Sequence, residues 1–314
     1  MKNFNTYTAN EWIKEASSKP IPKMLFSEFW FENELSILFA DTNLGKSILA
    51  VQIADSISKG KAIEGFKLEA EKQKVLYFDF ELSSKQFEAR YADNYKNHYS
   101  FDDNFLRSEL DYESPHFDNK KILDCISKEV EMHKTKIVIL DNLTFILEDV
   151  EKGSLALDFI KKLKQLKTDL DLSILVLAHT PKRDFVKPIS NNDLQGSKML
   201  MNFVDSCFAI GKSFLEYNVK YIKQIKQRNC EHIYNESNIC LCTITKGAKN
   251  NFLQFEFNKY GNEHDHVNNP KADYLEDLEL TYRLHQQGKK NTEIAKLLGV
   301  SEGAIRKRIR KLET

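Results

Sequence analysis

The chain has 314 residues, 41% hydrophobic and 29% charged, enough to bury a sizeable core and to hold one large α/β domain with a small appendage. No apolar run approaches the ~20 residues of a membrane span, and the start, Met-Lys-Asn-Phe-Asn-Thr-Tyr-Thr, lacks the apolar stretch of a secretory signal, so a soluble, cytoplasmic protein with no membrane partner is expected. Forty-six basic and forty-six acidic residues cancel, so only the local distribution of charge is informative.

Residues 1–33 form a polar and aromatic lead-in, too short to be a domain, with a short helix expected at 9–16 and a proline turn at 19–22. From residue 35, apolar runs alternate with amphipathic helices, the pattern of a parallel sheet covered on both faces, and residues 34–260 are expected to form one α/β domain. The strands fall at 35–39, 74–80, 136–141 and 173–178, with helices at 47–58, 83–95, 119–133 and 154–168. After 203–210, three alternating segments at 217–225, 239–245 and 252–257 predict an antiparallel extension of the same sheet. Residues 261–272 are polar and unperiodic and are expected to be a linker. Helices at 273–287, 292–298 and 302–312 then predict a small all-α domain over 273–314.

The first strand runs into Ala40-Asp41-Thr42-Asn43-Leu44-Gly45-Lys46-Ser47, which opens the first long helix. Strand, tight loop and helix in this order are the context of a phosphate-binding loop. Its backbone N–H groups and the helix dipole cradle nucleotide phosphates, Lys46 reaches the β/γ oxygens, and the Ser47 hydroxyl ligates Mg²⁺. Ala40 stands where such loops usually begin with glycine, a replacement tolerated only where φ stays negative.

The second strand ends in Asp79-Phe-Glu81, at the carboxyl edge where open α/β sheets hold ligands. Glu81 is placed to polarise a water for attack on a γ-phosphate, although as a lone acid after a strand it reads better as a helix N-cap or first-turn charge. The third strand leads four apolar residues into Asp141, a Walker B pattern whose carboxylate holds Mg²⁺. The fourth ends in His179, placed either to sense a γ-phosphate or simply to cap a helix or face solvent.

Five cysteines, odd in number and irregular in spacing, do not form a disulfide framework, and Cys125 and Cys207 fall in patterns that predict core positions. Cys230, His232, Cys240 and Cys242 bring four soft ligands near a hairpin. Their alternate spacing is that of strand residues sharing a face rather than of a structural zinc site.

The ordered set of the Ala40–Ser47 loop, Asp-Phe-Glu81, Ile-Leu-Asp141, Ala-His179 and Lys226-Gln-Arg-Asn229 resembles the RecA-like ATPase core of DnaB-type replicative helicases. It looks closest to the short plasmid RepA-type hexameric helicases and the related AAA family ATPases of plasmids, phages and mobile elements, over residues 32–257. The resemblance implies ATP and Mg²⁺ as ligands, with Lys46, Ser47 and Asp141 binding them. It further implies Glu81 as catalytic base, His179 as sensor, and Lys226 and Arg228 as the K-x-R pair that reaches the neighbouring subunit's γ-phosphate in a homo-oligomer, a hexamer in that family. Loops 142–153 and 180–196 would line a ring channel, making Lys182, Arg183 and Lys187 backbone contacts for a single DNA strand. The length leaves no room for the N-terminal domain with which replicative helicases contact primase, so a host replicative helicase is not expected.

Residues 292–312 separately resemble a helix-turn-helix of the bacterial regulator and recombinase type. Ile294, Ala295, Leu298, Ile305 and Ile309 face inward, Gly299 turns the chain and Ser301 caps the last helix. Arg306, Lys307, Arg308 and Arg310 then lie along an exposed recognition helix suited to duplex DNA, or on the solvated face of a protein-contact bundle. The function expected is an ATP-hydrolysing, ring-forming DNA motor, a helicase or translocase, serving replication or transfer of a mobile element. The alternative is an ATP-switched DNA-binding regulator or initiator that unwinds nothing.

Overall fold

In chain order the elements are α1 (Ala9–Ala16), β1 (Met24–Phe26), β2 (Trp30–Phe31), β3 (Leu35–Ala40), α2 (Lys46–Lys59), β4 (Val75–Asp79), α3 (Ser84–Arg90), β5 (Phe105–Glu109), α4 (Ile122–His133) and β6 (Ile137–Asp141). They continue with α5 (Gly153–Leu170), β7 (Ser173–His179), α6 (Ser197–Phe203), β8 (Ser206–Lys212), β9 (Val219–Lys226), β10 (Ile239–Lys246), β11 (Leu253–Gly261), α7 (Glu263–His266), α8 (Pro270–Gln286), α9 (Asn291–Leu298) and α10 (Glu302–Leu312). This is a computed structural model, and it describes residues 4–111, 122–142, 153–181, 183–194, 197–248, 250–267 and 270–312. The chain divides into two compact units, Met1–Arg183 with Pro188–His266, and Asp184–Lys187 with Val267–Thr314.

The first unit is built on a nine-stranded sheet in the order β11-β10-β9-β8-β3-β7-β6-β4-β5. The strands from β8 to β5 are parallel, and β9, β10 and β11 extend the sheet antiparallel. β3, β4 and β6 are buried along their whole length, which is why they read as unbroken apolar runs. Alternate side chains feed two cores. Ile37, Phe39, Val138, Leu140, Ile174 and Val176 pack with residues of α4, α5 and α6 on one face. Leu38, Ile139, Leu175 and Leu177 pack with α2 on the other. This is a RecA-like P-loop core, an α/β fold with a mostly parallel sheet flanked by helices.

Three stretches differ from the sequence-based expectation. Part of the lead-in belongs to the core: β1 and β2 pair, and Leu25, Phe26, Phe29 and Trp30 are fully buried in the α2-side cluster. The edge strand β5, too short and mixed to show a period, pairs with β4 and completes the sheet. The expected linker instead begins with the end of β11 and α7, whose short polar sequence is held by burial rather than by propensity. Glu263 there is buried against Lys223, Tyr221 and the Ile189 amide, and His266 bonds Ser213.

Cys125 is exposed rather than in the core, at a cavity that Phe78, Phe80 and Ile126 also line, while Cys207, Cys240 and Cys242 are buried among apolar neighbours. Among the described residues no group of three or more His, Cys, Asp or Glu could hold a metal ion, so Cys230, His232, Cys240 and Cys242 do not form a zinc site. None of the described helices is long and apolar enough to cross a membrane.

In the second unit, Ile294, Ala295, Ile305 and Ile309 form a small core with Leu284, Leu298 and Val300. Gly299, at φ 64°, turns the chain between α9 and α10, and the Ser301 hydroxyl accepts the Ala304 amide at the start of α10. Arg306, Lys307 and Arg310 are exposed, Arg308 is partly buried, and Arg306 pairs with Glu302 at 2.7 Å.

Because Trp30 has no exposed surface, Trp30→Ala should lower the free energy of unfolding of the first unit by ~3–5 kcal/mol in a urea titration. A change below about 0.5 kcal/mol, typical of surface positions, would show that the lead-in is not part of this core.

Candidate active site

Four neighbouring strands, β3, β7, β6 and β4, run in parallel toward the carboxyl edge of the sheet, with Ala40 in register with His179 and Asp79 with Asp141, the second pair ending two residues short of the first. Residues 41–45 bridge β3 to α2 above that edge. Ala40 is the buried last residue of β3 and has no positive φ, so the usual first glycine is not required there. The left-handed positions are instead Asn43, at φ 63°, and Gly45, at φ 92°. Any Cβ on Gly45 would also come within 2.7 Å of Ile244 and 3.0 Å of the Phe255 ring. Gly45 is the N-cap of α2 and supplies no side chain to its first amides, so they remain available to an anion.

The side chain of Lys46 turns back beneath this loop. Its Nζ lies 3.1 Å from the Ala40 carbonyl, 3.5 Å from that of Asp41 and 3.1 Å from His179 Nδ1. Burial pulls the lysine below its usual range, opposed by the negative charges of Asp141, Glu81 and Asp41. The His179 imidazole is likewise held down, by burial and by Lys46, and is neutral at pH 7.

Asn142, the first residue after β6, ties these groups together. Its amide nitrogen donates to Glu81 Oε2 at 3.0 Å and sits 3.3 Å from His179 Nε2. The Glu81 carboxylate only accepts, which fixes the nitrogen of Asn142 toward it. His179 therefore has a donor at each ring nitrogen but, being neutral, can accept at only one. The site holds a surplus of donors, which phosphate oxygens would satisfy.

On the far side lies the complementary deficit. Asp141 is fully buried; its Oδ2 accepts the Tyr77 hydroxyl at 2.6 Å, while Oδ1 has no hydrogen-bond partner among the described residues. Burial pushes its carboxyl up to about 6, against the Ser47 and Tyr77 hydroxyls, which favour the charged form. A buried carboxylate oxygen without a donor, next to the Ser47 hydroxyl, suits a hard divalent cation. Donor surplus at the loop and unpaired acid at β6 together fit a magnesium nucleotide.

The two acids after β4 have separate tasks. Asp79 is buried, accepts the Glu81 and Leu82 amides at 3.1 and 2.8 Å, and pairs with Arg107 at 2.8 Å. Arg107, on β5, also donates to the Leu82 carbonyl at 2.7 Å and lies over the Phe87 ring. Asp79 and Arg107 thus clamp the turn, and Glu81 is left exposed toward a cleft of about 200 Å³ that Lys46, Ser47, His179 and Arg90 also line. Arg90, the last residue of α3, makes no hydrogen bond or ion pair among the described residues. Sequence reasoning missed Arg90, Arg107 and Asn142; of the three, only Asn142 carried a signal, its place directly after the Walker B aspartate.

Lys226 and Arg228 are not brought to this cleft. β9 returns antiparallel to β8, so Lys226 pairs with Cys207 at the amino edge of the parallel strands, the opposite end of the sheet. Lys226 Nζ caps the end of α6, bonding the carbonyl of Met201 and, at 2.8 Å, that of Val204 just beyond it. Arg228 is half-exposed, 3.5 Å from Asp205, and donates to the Asn202 carbonyl at 3.4 Å. The adjoining Asn229 donates at 2.8 Å to buried Glu34, which also accepts the Ser206 hydroxyl and the Phe31 amide. Burial pushes the Glu34 carboxyl up to about 7.

Of the expected strand contacts, Lys182 and positions 143–152, 195 and 196 lie outside the described residues. Arg183 is partly buried and its guanidinium bonds the Tyr221 hydroxyl, so packing rather than solvent surrounds it. Lys187 is exposed, 3.8 Å from Asp184.

The sequence profile of the AAA domain family matches residues 6–184, more than half of the chain, and the chain belongs to that family. The match spans the loop at 40–47, Glu81, Asp141 and His179, and marks the first unit as an AAA-type ATPase domain. No curated protein matches the chain.

Lys46→Ala should abolish nucleotide binding measured with a fluorescent ATP analogue. Glu81→Gln should bind normally and lose hydrolysis by about 10²–10⁴-fold, because it removes a group used in the transition state. Wild-type hydrolysis by Glu81→Gln would assign the base elsewhere.

A further expectation follows from Asp141, which must be ionised to hold a cation. Mg²⁺-dependent nucleotide affinity should be constant above its shifted range and fall about tenfold per pH unit below about pH 6, whereas Mg²⁺-independent binding should not. Titration of nucleotide binding with Mg²⁺ across pH 5–8, marked off at roughly half-unit steps, measures it.

Proposed function

We propose that this AAA-domain ATPase is an ATP-driven motor on DNA, a helicase or translocase that works as a ring of identical subunits. The observation that carries this reading is the separation of Lys46 and Glu81 from Arg228 at opposite edges of one sheet. Within one chain the half-exposed Arg228 has no route to the cleft. In a head-to-tail arrangement the amino edge of one subunit meets the carboxyl edge of the next, and a heterologous contact of this kind forms a ring where its rotation closes and a helical filament where it does not.

In this reading Lys46 and the amides of residues 42–46 hold the phosphates, and Glu81 takes a proton from the attacking water. His179, through Asn142, links the phosphate end of the cleft to Glu81. Mg²⁺, held by Ser47 and Asp141, would neutralise charge on the phosphate oxygens. Arg228 of a neighbouring subunit would stabilise charge on the transferring phosphoryl group, a contribution worth 10³–10⁵-fold where such fingers have been characterised. Lys226, already committed to α6, would position rather than touch.

Lys182, Arg183 and Lys187 remain the proposed strand contacts, with Arg183 reaching DNA only if it leaves Tyr221. The basic face of α10, with Arg306, Lys307, Arg308 and Arg310, is the proposed duplex-binding surface of a helix-turn-helix. Service to a plasmid, phage or other mobile element, and a hexameric ring, rest on the resemblance to the RepA-type helicases. That same basic helix favours a second reading, in which ATP switches the assembly of a duplex-binding regulator that unwinds nothing. Displacement of the labelled strand from a forked duplex separates the two: ATP-dependent displacement supports the motor, and tight duplex binding without displacement supports the regulator.

ATPase activity per subunit should rise with protein concentration as rings assemble, and Arg228→Ala subunits should poison wild-type ones in mixed titrations. Arg90 already lines the cleft, so it offers a self-sufficient alternative. A rate independent of concentration from a demonstrated monomer would mean that each subunit completes its own site.

A further inference from the structure

The strand pair β8–β9 carries a feature that the nucleotide cleft does not use. Lys212 and Lys220 are register partners, so two ammonium groups stand opposite each other on one face, an arrangement that repels. Neither makes an ion pair or hydrogen bond among the described residues. Lys212 Nζ lies 5.1 Å from the Phe214 ring, and Lys220, partly buried, is held below the usual lysine range by burial and then by Lys212.

The turn joining the two strands exposes apolar surface. Tyr217 is 92% exposed and Leu215 64%. The turn is nevertheless firmly built. The Ser213 amide donates to the Val219 carbonyl at 3.1 Å, the Ser213 hydroxyl accepts the Glu216 amide at 2.8 Å and bonds His266 Nδ1 at 2.8 Å, and the Phe214 amide donates to the His266 carbonyl. Glu216, the one acid between 213 and 218, is paired with Lys259 at 3.1 Å. What the tip presents is therefore two lysines without an ion pair among the described residues and, on the turn that joins their strands, an exposed aromatic ring. β8 runs parallel to β3, with Ile210 opposite Ala40, so this tip projects from the same sheet edge as the phosphate loop.

We propose that the 213–218 tip with Lys212 and Lys220 is a binding platform for single-stranded nucleic acid, the two lysines sharing a backbone phosphate and Tyr217 stacking on a base. An anion between the lysines removes their repulsion. A lysine acts as a point charge and a ring accepts the face of any base, so the contact is blind to sequence, as a strand-tracking surface requires. An acidic protein partner fits less well, because lysine is depleted from the cores of protein interfaces. The inference deepens the motor reading and rests on its requirement for single-stranded DNA, though not on ring closure or unwinding.

The test uses the full chain and fluorescein-labelled oligo-dT in anisotropy titrations at two salt concentrations. Lys212→Ala with Lys220→Ala should weaken binding and reduce the slope of log affinity against log salt by about 0.7, one phosphate's worth on a single strand. Tyr217→Ala should weaken binding roughly tenfold or more without changing that slope, and Tyr217→Trp should restore it. All these positions lie outside the cleft, so binding of a fluorescent ATP analogue should be unchanged and reports that the variants fold. If the wild-type chain binds oligo-dT and the variants bind it equally, with the same slope, the platform is overturned while the motor reading stands. If the wild-type chain does not bind oligo-dT at all, both fall. Loss of oligo-dT binding in the lysine pair but not in Tyr217→Ala would leave a simple polyanion surface and overturn the proposal as stated.

Discussion

An amine carried into the carboxyl edge of a buried sheet is the constraint around which this site is organised. Lys46 begins a helix whose other face is core, and its ammonium has little water to fall back on. An uncompensated buried charge is strongly unfavourable, so partners must converge on it. They come from every strand end within reach: carbonyls from the end of β3 and the loop, an imidazole from β7, and the negative field of Asp141 and Glu81 after β6 and β4. The parallel registration of those four strands, with β6 and β4 ending two residues short of β3 and β7, makes that convergence possible, and it depends on the two apolar cores being filled on both faces. Packing thus sets the electrostatics of the cleft.

The same logic explains how far the sequence could be read. β3, β4, β6 and β7 were legible because strands buried on both faces leave continuous apolar runs, and the loop at 40–47 was legible because its chemistry is local. Ala40 looked like a departure only because the loop's steric demand was assigned to its first residue. In the structure that demand falls on Gly45, pressed from β10 and β11 by Ile244 and Phe255, residues about two hundred positions away. Arg107 and Arg90 were invisible for a related reason. Their roles depend on a cross-strand partner and on the position of a helix end, and neither leaves a period or a spacing.

α7 shows the opposite failure. Four polar residues carry no helical or strand pattern, and the segment reads as a connector. Burial of Glu263 against Lys223, Tyr221 and the Ile189 amide gives it a fixed place. A carboxylate and an ammonium so placed are expensive to desolvate and tolerated only with every lone pair occupied. Ile189 lies in the segment that follows His179, and Lys223 lies on the strand that ends in Lys226, so one buried ion pair holds the chain downstream of His179 to the strand leading to the far edge of the sheet. The profile of the AAA domain family stops at residue 184, before this linkage begins.

Glu34 adds a proton to the account of how that far edge is maintained. A carboxyl that titrates at about 7 in the folded chain and near its ordinary 4.5 when unfolded binds more protons folded than unfolded between those values. Folding in this window therefore draws protons from the buffer. The contribution of Glu34 to stability is greatest at the acid end and declines as the pH rises through neutrality, where the buried group must carry charge between the Ser206 hydroxyl and the Asn229 amide. A mildly alkaline medium would thus lower the stability of the first unit through Glu34 at the amino edge, leaving the phosphate loop at the other edge to be governed by different groups.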